Sequence, residues 1–220
     1  MNNPDFARTR SDVVDACREL ARSGLVTGTA GNVSVRHGDA IAITASGVVL
    51  ADAVPDDVLL VSADGRVLEG AFAPTSELEL HLTAYRRSEV GAVVHTHGPA
   101  AVALTLITDE LPCLHYQQIP LGGEVPVVPF SVFGSPELAH DVNEILIERN
   151  AVLLAHHGAV TVGSDLKEAV SHTALLEWAC GLYLRAAAVG RPRRLTTDQQ
   201  LAVITATVSS GYGSKHDRES

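Results

Sequence analysis

Lysine is almost missing from this chain. Among 220 residues only Lys167 and Lys215 are lysines, and 16 basic against 26 acidic residues leave a formal net charge of -10. Binding a phosphate backbone takes clustered Lys and Arg, and no basic run is present, so nucleic acid is excluded as a partner. Cysteine is scarce too. Cys17, Cys113 and Cys180 form an odd, scattered set without CxxC spacing, which excludes a disulfide framework and a thiolate zinc site and fits a reducing cytosol. Long apolar runs are lacking: residues 99–107 make about half the roughly 20 residues that a spanning helix needs. The first 20 residues mix charge with apolar positions at helical spacing, without the apolar core and cleavage site of a signal peptide. The expectation is a cytoplasmic protein with no membrane contact.

What is present is a hydrophobic content of 46% over a length suited to one core. Helical periodicity marks residues 5–20, with Val13, Cys17, Leu20 and Ala21 on one stripe and Gly24 as a stop. Alternating segments predict strands at 33–36, 40–44, 58–62 and 67–68, the last two flanking an Ala63-Asp64-Gly65-Arg66 turn. Pro74-Thr75-Ser76-Glu77 opens a helix whose apolar stripe is Leu78, Leu82 and Tyr85. Further strands are predicted at 92–97, 125–130 and 151–155, with helices starting near Pro99 and over 136–149, 166–188 and 197–209. No repeat or linker interrupts this order. The fold class is therefore a single α/β domain over residues 1–210, a mainly antiparallel central sheet covered by helices. Residues 211–220 read as a polar, mobile tail.

Ten histidines are many for this length. His95-Thr96-His97 ends a predicted strand, and period-two geometry puts both imidazoles on one face. His156-His157-Gly158 follows a second apolar strand, so two strand ends can converge on one ion, and zinc accepts three imidazoles plus an open or carboxylate-filled position. Spacing alone leaves open which of His156 and His157 binds. His81, four residues after Glu77 on the same helical face, is a competing ligand, but HExxH is absent and a satisfied helix histidine is the simpler reading. His115 is a candidate to line the site, while His37, His140, His172 and His216 have no ligand-like spacing.

Three segments cluster amides and hydroxyls suited to phosphate: Gly28-Thr29-Ala30-Gly31-Asn32, Thr44-Ala45-Ser46-Gly47, and Thr75-Ser76. Each alone reads as a turn or a cap; their repetition is the informative part. Glu77 directly follows the last of them, where it could ligate a metal or shuttle a proton. Imine chemistry needs a desolvated lysine, and neither lysine looks buried, so any carbon-carbon cleavage here calls for metal polarisation of a ketone.

The ordered segments GLVTGTAGNVSVR, ITASG, PTSELELH, AVVHTHGPA, CLHYQQIP, VPFSVFGS, LLAHHGAV and SSGYG resemble the class II aldolase/adducin family over nearly the whole chain. That resemblance implies a three-layer α/β fold and one zinc per subunit on His95, His97 and His157, a site open to other divalent metals. It places the catalytic acid/base on Glu77 and substrate contacts on Gly31, Asn32, Ser46, Gly47, Thr75 and Ser76. Tyr116, Phe133 and Tyr212 match residues that approach from a neighbouring subunit, which implies a C4 homotetramer, and either tyrosine is a candidate to exchange a proton with the aldehyde oxygen. Ala45 stands where proline is common, and Thr75 replaces the first serine of a Ser-Ser pair.

The implied reaction is reversible cleavage of a ketose 1-phosphate such as L-fuculose 1-phosphate to dihydroxyacetone phosphate and L-lactaldehyde. Alternatives on the same scaffold are an aldolase for 5-deoxyribulose or 5-methylthioribulose 1-phosphate, a methylthioribulose 1-phosphate dehydratase and a ribulose 5-phosphate 4-epimerase. Epimerases tend to carry aspartate where Glu77 stands. A non-catalytic adducin-like module would lack the three histidines, and the phosphate-type loops speak against a zinc hydrolase.

Overall fold

The computed structural model describes residues 4–210, and the predicted tail and Tyr212 lie outside the described residues. Helix α1 (Pro4–Arg22) buries Phe6, Val13, Cys17 and Leu20. The strands β1 (Asn32–His37), β2 (Ala40–Thr44), β3 (Val58–Ser62) and β4 (Val67–Glu69) follow as a meander. Next come α2 (Leu78–Ala84), β5 (Ala92–Thr96), α3 (Pro99–Thr105), the two-residue β6 (Glu110–Leu111) and a 3-10 segment, Tyr116–Leu121. The rest is β7 (Val125–Val128), α4 (Pro136–Leu146), β8 (Ala151–Leu154), β9 (Gly158–Gly163), α5 (Leu166–Ala187) and α6 (Thr197–Ser210).

The nine strands form one sheet in the order β4-β3-β2-β1-β5-β9-β8-β7-β6. Every neighbouring pair is antiparallel except β7 and β8, which are parallel and joined by α4. Alternation divides the core between the two faces of the sheet. Ile41, Ile43, Leu59, Val61 and Val93 pack with Leu80 of α2 and Leu138 and Val142 of α4. Ala42, Val58, Ala92 and Val94 pack with Val13, Cys17 and Leu20 of α1. Each fully buried Val, Leu or Ile contributes about 1.5–3 kcal/mol, so shifting a central strand by one residue would turn both sets to the wrong face. A third cluster joins α3 and α5 over Leu111, Leu121, Val125 and Leu153.

Two strands differ from expectation by existing at all. All six residues of β9 are buried, so it shows no apolar-polar alternation, and β6 is too short to have a period. Other elements stop early. The strand predicted over 125–130 ends at Val128 because Phe130 has left the sheet and is 66% exposed. The helix expected from Pro74 begins at Leu78, since an isolated bridge between Ala45 and Pro74 holds the preceding loop extended.

The register builds the site. β5 lies between β1 and β9, with Asn32 opposite His95 and Ala159 opposite Thr96. The end of β5 therefore meets both the start of β1 and the turn that enters β9. The last contact depends on Gly158: a Cβ there would stand 2.2 Å from the Thr96 carbonyl oxygen and 3.0 Å from the His97 ring.

Candidate active site

At the end of β5, His95 is fully buried and His97 half-buried. Their Nε2 atoms face each other at 2.9 Å. The third ring comes from the three-residue turn between β8 and β9. His156 takes the left-handed conformation there, with φ 59, and its ring turns towards exposed Phe130. The next residue, His157, then points into the site, with its ring centroid 4.8 Å from those of His95 and His97. Backbone handedness, invisible to strand periodicity, thus separates the two neighbours. One ligand atom from each of His95, His97 and His157 lies within 4.8 Å of the others.

Glu77, buried just before α2, completes the cluster. Its Oε2 is 3.0 Å from His95 Nε2 and its Oε1 is 3.5 Å from His157 Nε2. His95 Nδ1 lies 2.9 Å from the Ala159 carbonyl oxygen, which only accepts, so Nδ1 carries a proton and Nε2 is the nitrogen that would offer a lone pair to a metal. That lone pair faces a carboxylate oxygen and a second imidazole nitrogen. Such a convergence of acceptors is the donor set of a cation site. Glu77 Oε1 agrees: it is buried and has no hydrogen-bond partner among the described residues. The residues present fit a divalent metal on three imidazoles, with the carboxylate beside it.

Burial, followed by the neighbouring His95, pushes His97 and His157 down to about 4, so both are neutral ligands at pH 7. For Glu77 burial alone would raise the carboxyl. In the metal-free protein a hydrogen bond and charge from His95, with the Asn32 amide, outweigh it and hold the group below the usual carboxylate range. His81 is pushed down to about 3, by burial first and then by His95.

Below the ordinary histidine value of about 6.5 the unfolded chain takes up protons that the folded rings refuse. Stability in the metal-free protein is therefore complete above pH 6.5 and falls as pH drops towards 4, by up to about 1.4 kcal/mol per pH unit for each such ring. Urea midpoints measured from pH 7.5 to 4.5 should decline over that window, and a flat profile would contradict it.

The loops suited to phosphate converge nearby. Ser46 donates its N–H to the Ala73 carbonyl at 3.0 Å, and Thr75 donates to the Thr44 carbonyl at 3.2 Å, which laces the two loops side by side. Ser46, Gly47 and Ser76 are exposed, while Thr75 is buried and its Oγ1 accepts from the Glu77 N–H at 3.3 Å. Gly31, with φ 85, abuts the His95 carbonyl, where a Cβ would come within 2.9 Å. Asn32 is turned inward and donates from Nδ2 to Glu77 Oε2 at 3.1 Å. Phe133 is 64% exposed, on a loop whose Gly134 sits against the Ser76 carbonyl of the same chain. Tyr116 is 53% exposed and stacks on His115 at 4.4 Å. His115 accepts from the Gln117 N–H and meets Trp178 edge-on, which gives it a capping and packing role.

Lys167 is exposed. The three cysteines are free and buried. No helix among the described residues is long and apolar enough to cross a membrane. What sequence reasoning missed is the polar chain behind Glu77, which runs through Asn32, His81, Ser34 and Tyr85. The i, i+4 spacing of Glu77 and His81 was its only trace.

Known proteins are similar to this chain in sequence and fold. The chain is 34% identical over 209 residues to the 5-deoxy-D-ribulose 1-phosphate aldolase of Bacillus thuringiensis serovar kurstaki, covering 94% of this chain and 97% of that protein. It is 34% identical over 194 residues to the L-fuculose phosphate aldolase of Escherichia coli K12, covering 87% of this chain and 90% of that one. A solved structure of an L-fuculose 1-phosphate aldolase superposes with a TM-score of 0.87 at 28% identity, covering 94% and 98% of the two chains. The sequence model described as the class II aldolase and adducin N-terminal domain matches residues 11–184. Class II aldolases use a divalent metal and act on phosphorylated sugars, which suits the histidine cluster and the paired polar loops. With that span matched, the chain belongs to the class II aldolase and adducin family, and it does so as an aldolase, a lyase.

Proposed function

We propose that this enzyme is a zinc aldolase for a ketose 1-phosphate, with L-fuculose 1-phosphate the first candidate and dihydroxyacetone phosphate and L-lactaldehyde the products. The observation that carries the reading is the meeting of three imidazoles with a buried carboxylate whose Oε1 has no hydrogen-bond partner among the described residues. His95, His97 and His157 would hold the ion. Bound there, zinc supplies Lewis acidity that stabilises the negative charge developing on the ketone oxygen as the carbon-carbon bond breaks.

The hydroxyls of Ser46, Thr75 and Ser76 and the amides of Gly47 and Ser76 face the phosphate, with Gly31 and Asn32 bordering them, and this orients the ketose over the histidines. In cleavage the hydroxyl proton beside the breaking bond leaves through a tyrosine to water, the bond's electron pair passes into the enediolate, and Glu77, protonated in turn from water, delivers that proton to the enediolate carbon. In its ionised form the same carboxylate is the base for condensation. Tyr116 and Tyr212, with Phe133, complete the site from a neighbouring subunit of a homotetramer. The exposure of Tyr116 and Phe133 supports this, since each is an aromatic ring left without cover in one chain.

A second substrate is favoured by one observation: the relative named for 5-deoxy-D-ribulose 1-phosphate is as similar as those named for L-fuculose phosphate. The two ketoses share every group facing the metal and differ in the aldehyde portion, where one group is worth about 1–3 kcal/mol. Parallel kcat/KM measurements on both, by coupled reduction of dihydroxyacetone phosphate, decide between them. A ratio above about 10 names the substrate, and release from neither removes the proposal.

A further inference from the structure

We propose that His81 is a positioning residue: through Asn32 it pins one oxygen of Glu77 and leaves the other free to move the proton. The inference rests on the aldolase reading for its purpose but on hydrogen-bond geometry for its content. Five polar side chains run in a line beneath the site. Tyr85 OH is 2.8 Å from Ser34 Oγ, which is 2.7 Å from His81 Nδ1. His81 Nε2 is 2.5 Å from Asn32 Oδ1, and Asn32 Nδ2 is 3.1 Å from Glu77 Oε2.

The carboxylate fixes the direction of the whole chain. An ionised Glu77 only accepts, so Asn32 must present its NH2 to it and its carbonyl oxygen to His81. His81 must then carry its proton on Nε2 and accept at Nδ1 from the Ser34 hydroxyl, which in turn accepts from Tyr85. Each step follows from the one before, and reversing any of them sets two acceptors face to face. His81 and Ser34 are fully buried and Asn32 is 6% exposed, so an unmatched member would be costly.

The consequence falls on Glu77. Oε2 receives the Asn32 N–H and faces His95, whereas Oε1 has no hydrogen-bond partner. The chain therefore fixes the carboxylate plane and assigns the roles of its oxygens, Oε2 held and Oε1 working. Leucine or phenylalanine could fill the space between α2 and β1 but would leave Asn32 Oδ1 and the Ser34 hydroxyl without their imidazole partner. A buried imidazole there earns its place through the group at the end of the line.

Two readouts test this. The first needs no turnover: 15N NMR of histidine-labelled protein at pH 7, with the His81 signals assigned by their loss in His81→Gln. A neutral ring protonated on Nε2 is expected; a ring protonated on Nδ1, or a charged ring, overturns the proposal. The second is kinetic. His81→Leu should lower kcat about 10- to 100-fold, with KM and zinc content within about twofold of wild type. His81→Gln, whose amide N–H can replace Nε2–H, should recover to within about fivefold.

Equal kcat in all three proteins overturns the proposal, as does a loss that tracks KM or zinc content. Should His81→Leu fail to fold, Ser34→Ala is read the same way, because it removes the hydroxyl that donates to His81 Nδ1 and holds the ring in place. Wild-type protein that releases no dihydroxyacetone phosphate would remove the aldolase reading instead, and the NMR result would still decide the direction of the chain.

Discussion

Glu77→Gln is expected to lower kcat by about 10²–10⁴-fold, the range that a positioned acid/base supplies, while the protein keeps its fold and its zinc. Glutamine matches glutamate in shape, and its amide oxygen can still accept from Asn32 at the place of Oε2. What it lacks is a basic oxygen at the place of Oε1, the atom without a hydrogen bond among the described residues. A purely structural carboxylate would give a different pattern: reduced thermal stability or zinc content, with turnover following occupancy. Solvent deuterium exchange into dihydroxyacetone phosphate isolates the proton transfer and should fall in parallel with cleavage. Turnover near wild type would take Glu77 out of the reaction.

His95→Ala should be at least as damaging, through the metal. Loss of a residue that merely orients a ligand weakens metal binding about 10- to 100-fold, and removing a ligand itself should exceed that. His95 is also tied to the Ala159 carbonyl and to Glu77, so its removal frees both neighbours. Zinc measured after dialysis should fall far below one per chain, with activity following it. His156→Asn is the paired control. It removes a histidine one residue from His157, at a position with φ 59 that asparagine tolerates, yet its ring faces Phe130. Zinc content and kcat should stay within about twofold; an equal loss in both variants would mean that the wrong histidine of the pair has been assigned.

The contrast between His156 and His157 shows what the sequence discloses. Strand-like alternation made β1, β2 and β3 legible, because each buries different side chains on two covered faces. His95 and His97 followed from the period of β5. β9 was not legible, since all six of its residues are buried and its glycines exist for close approach, as Gly158 does against Thr96. Without β9 the turn before it has no direction, and the choice between neighbouring histidines cannot be made from spacing.

Residue types told part of the site and register told the rest. Asn32 and Glu77 were both visible as polar groups beside Gly-rich or Ser-Thr segments. Their mutual hydrogen bond needs β1 to lie beside both β5 and α2, a long-range fact. His81 looked like a satisfied helix histidine, and it is one: its partners, Ser34 and Asn32, sit 47 and 49 residues away in sequence. The paired loops at Ser46 and Thr75 depend likewise on the bridge between Ala45 and Pro74.

The central claim is carbon-carbon cleavage by a metal held on His95, His97 and His157. The most direct measurement is dihydroxyacetone phosphate release from L-fuculose 1-phosphate and 5-deoxyribulose 1-phosphate by the zinc-loaded protein, before and after a chelator and after zinc is restored. The account predicts release from at least one substrate, abolished by the chelator and regained with zinc. Release that persists in the fully metal-free protein, or none from either substrate with zinc bound, would contradict it.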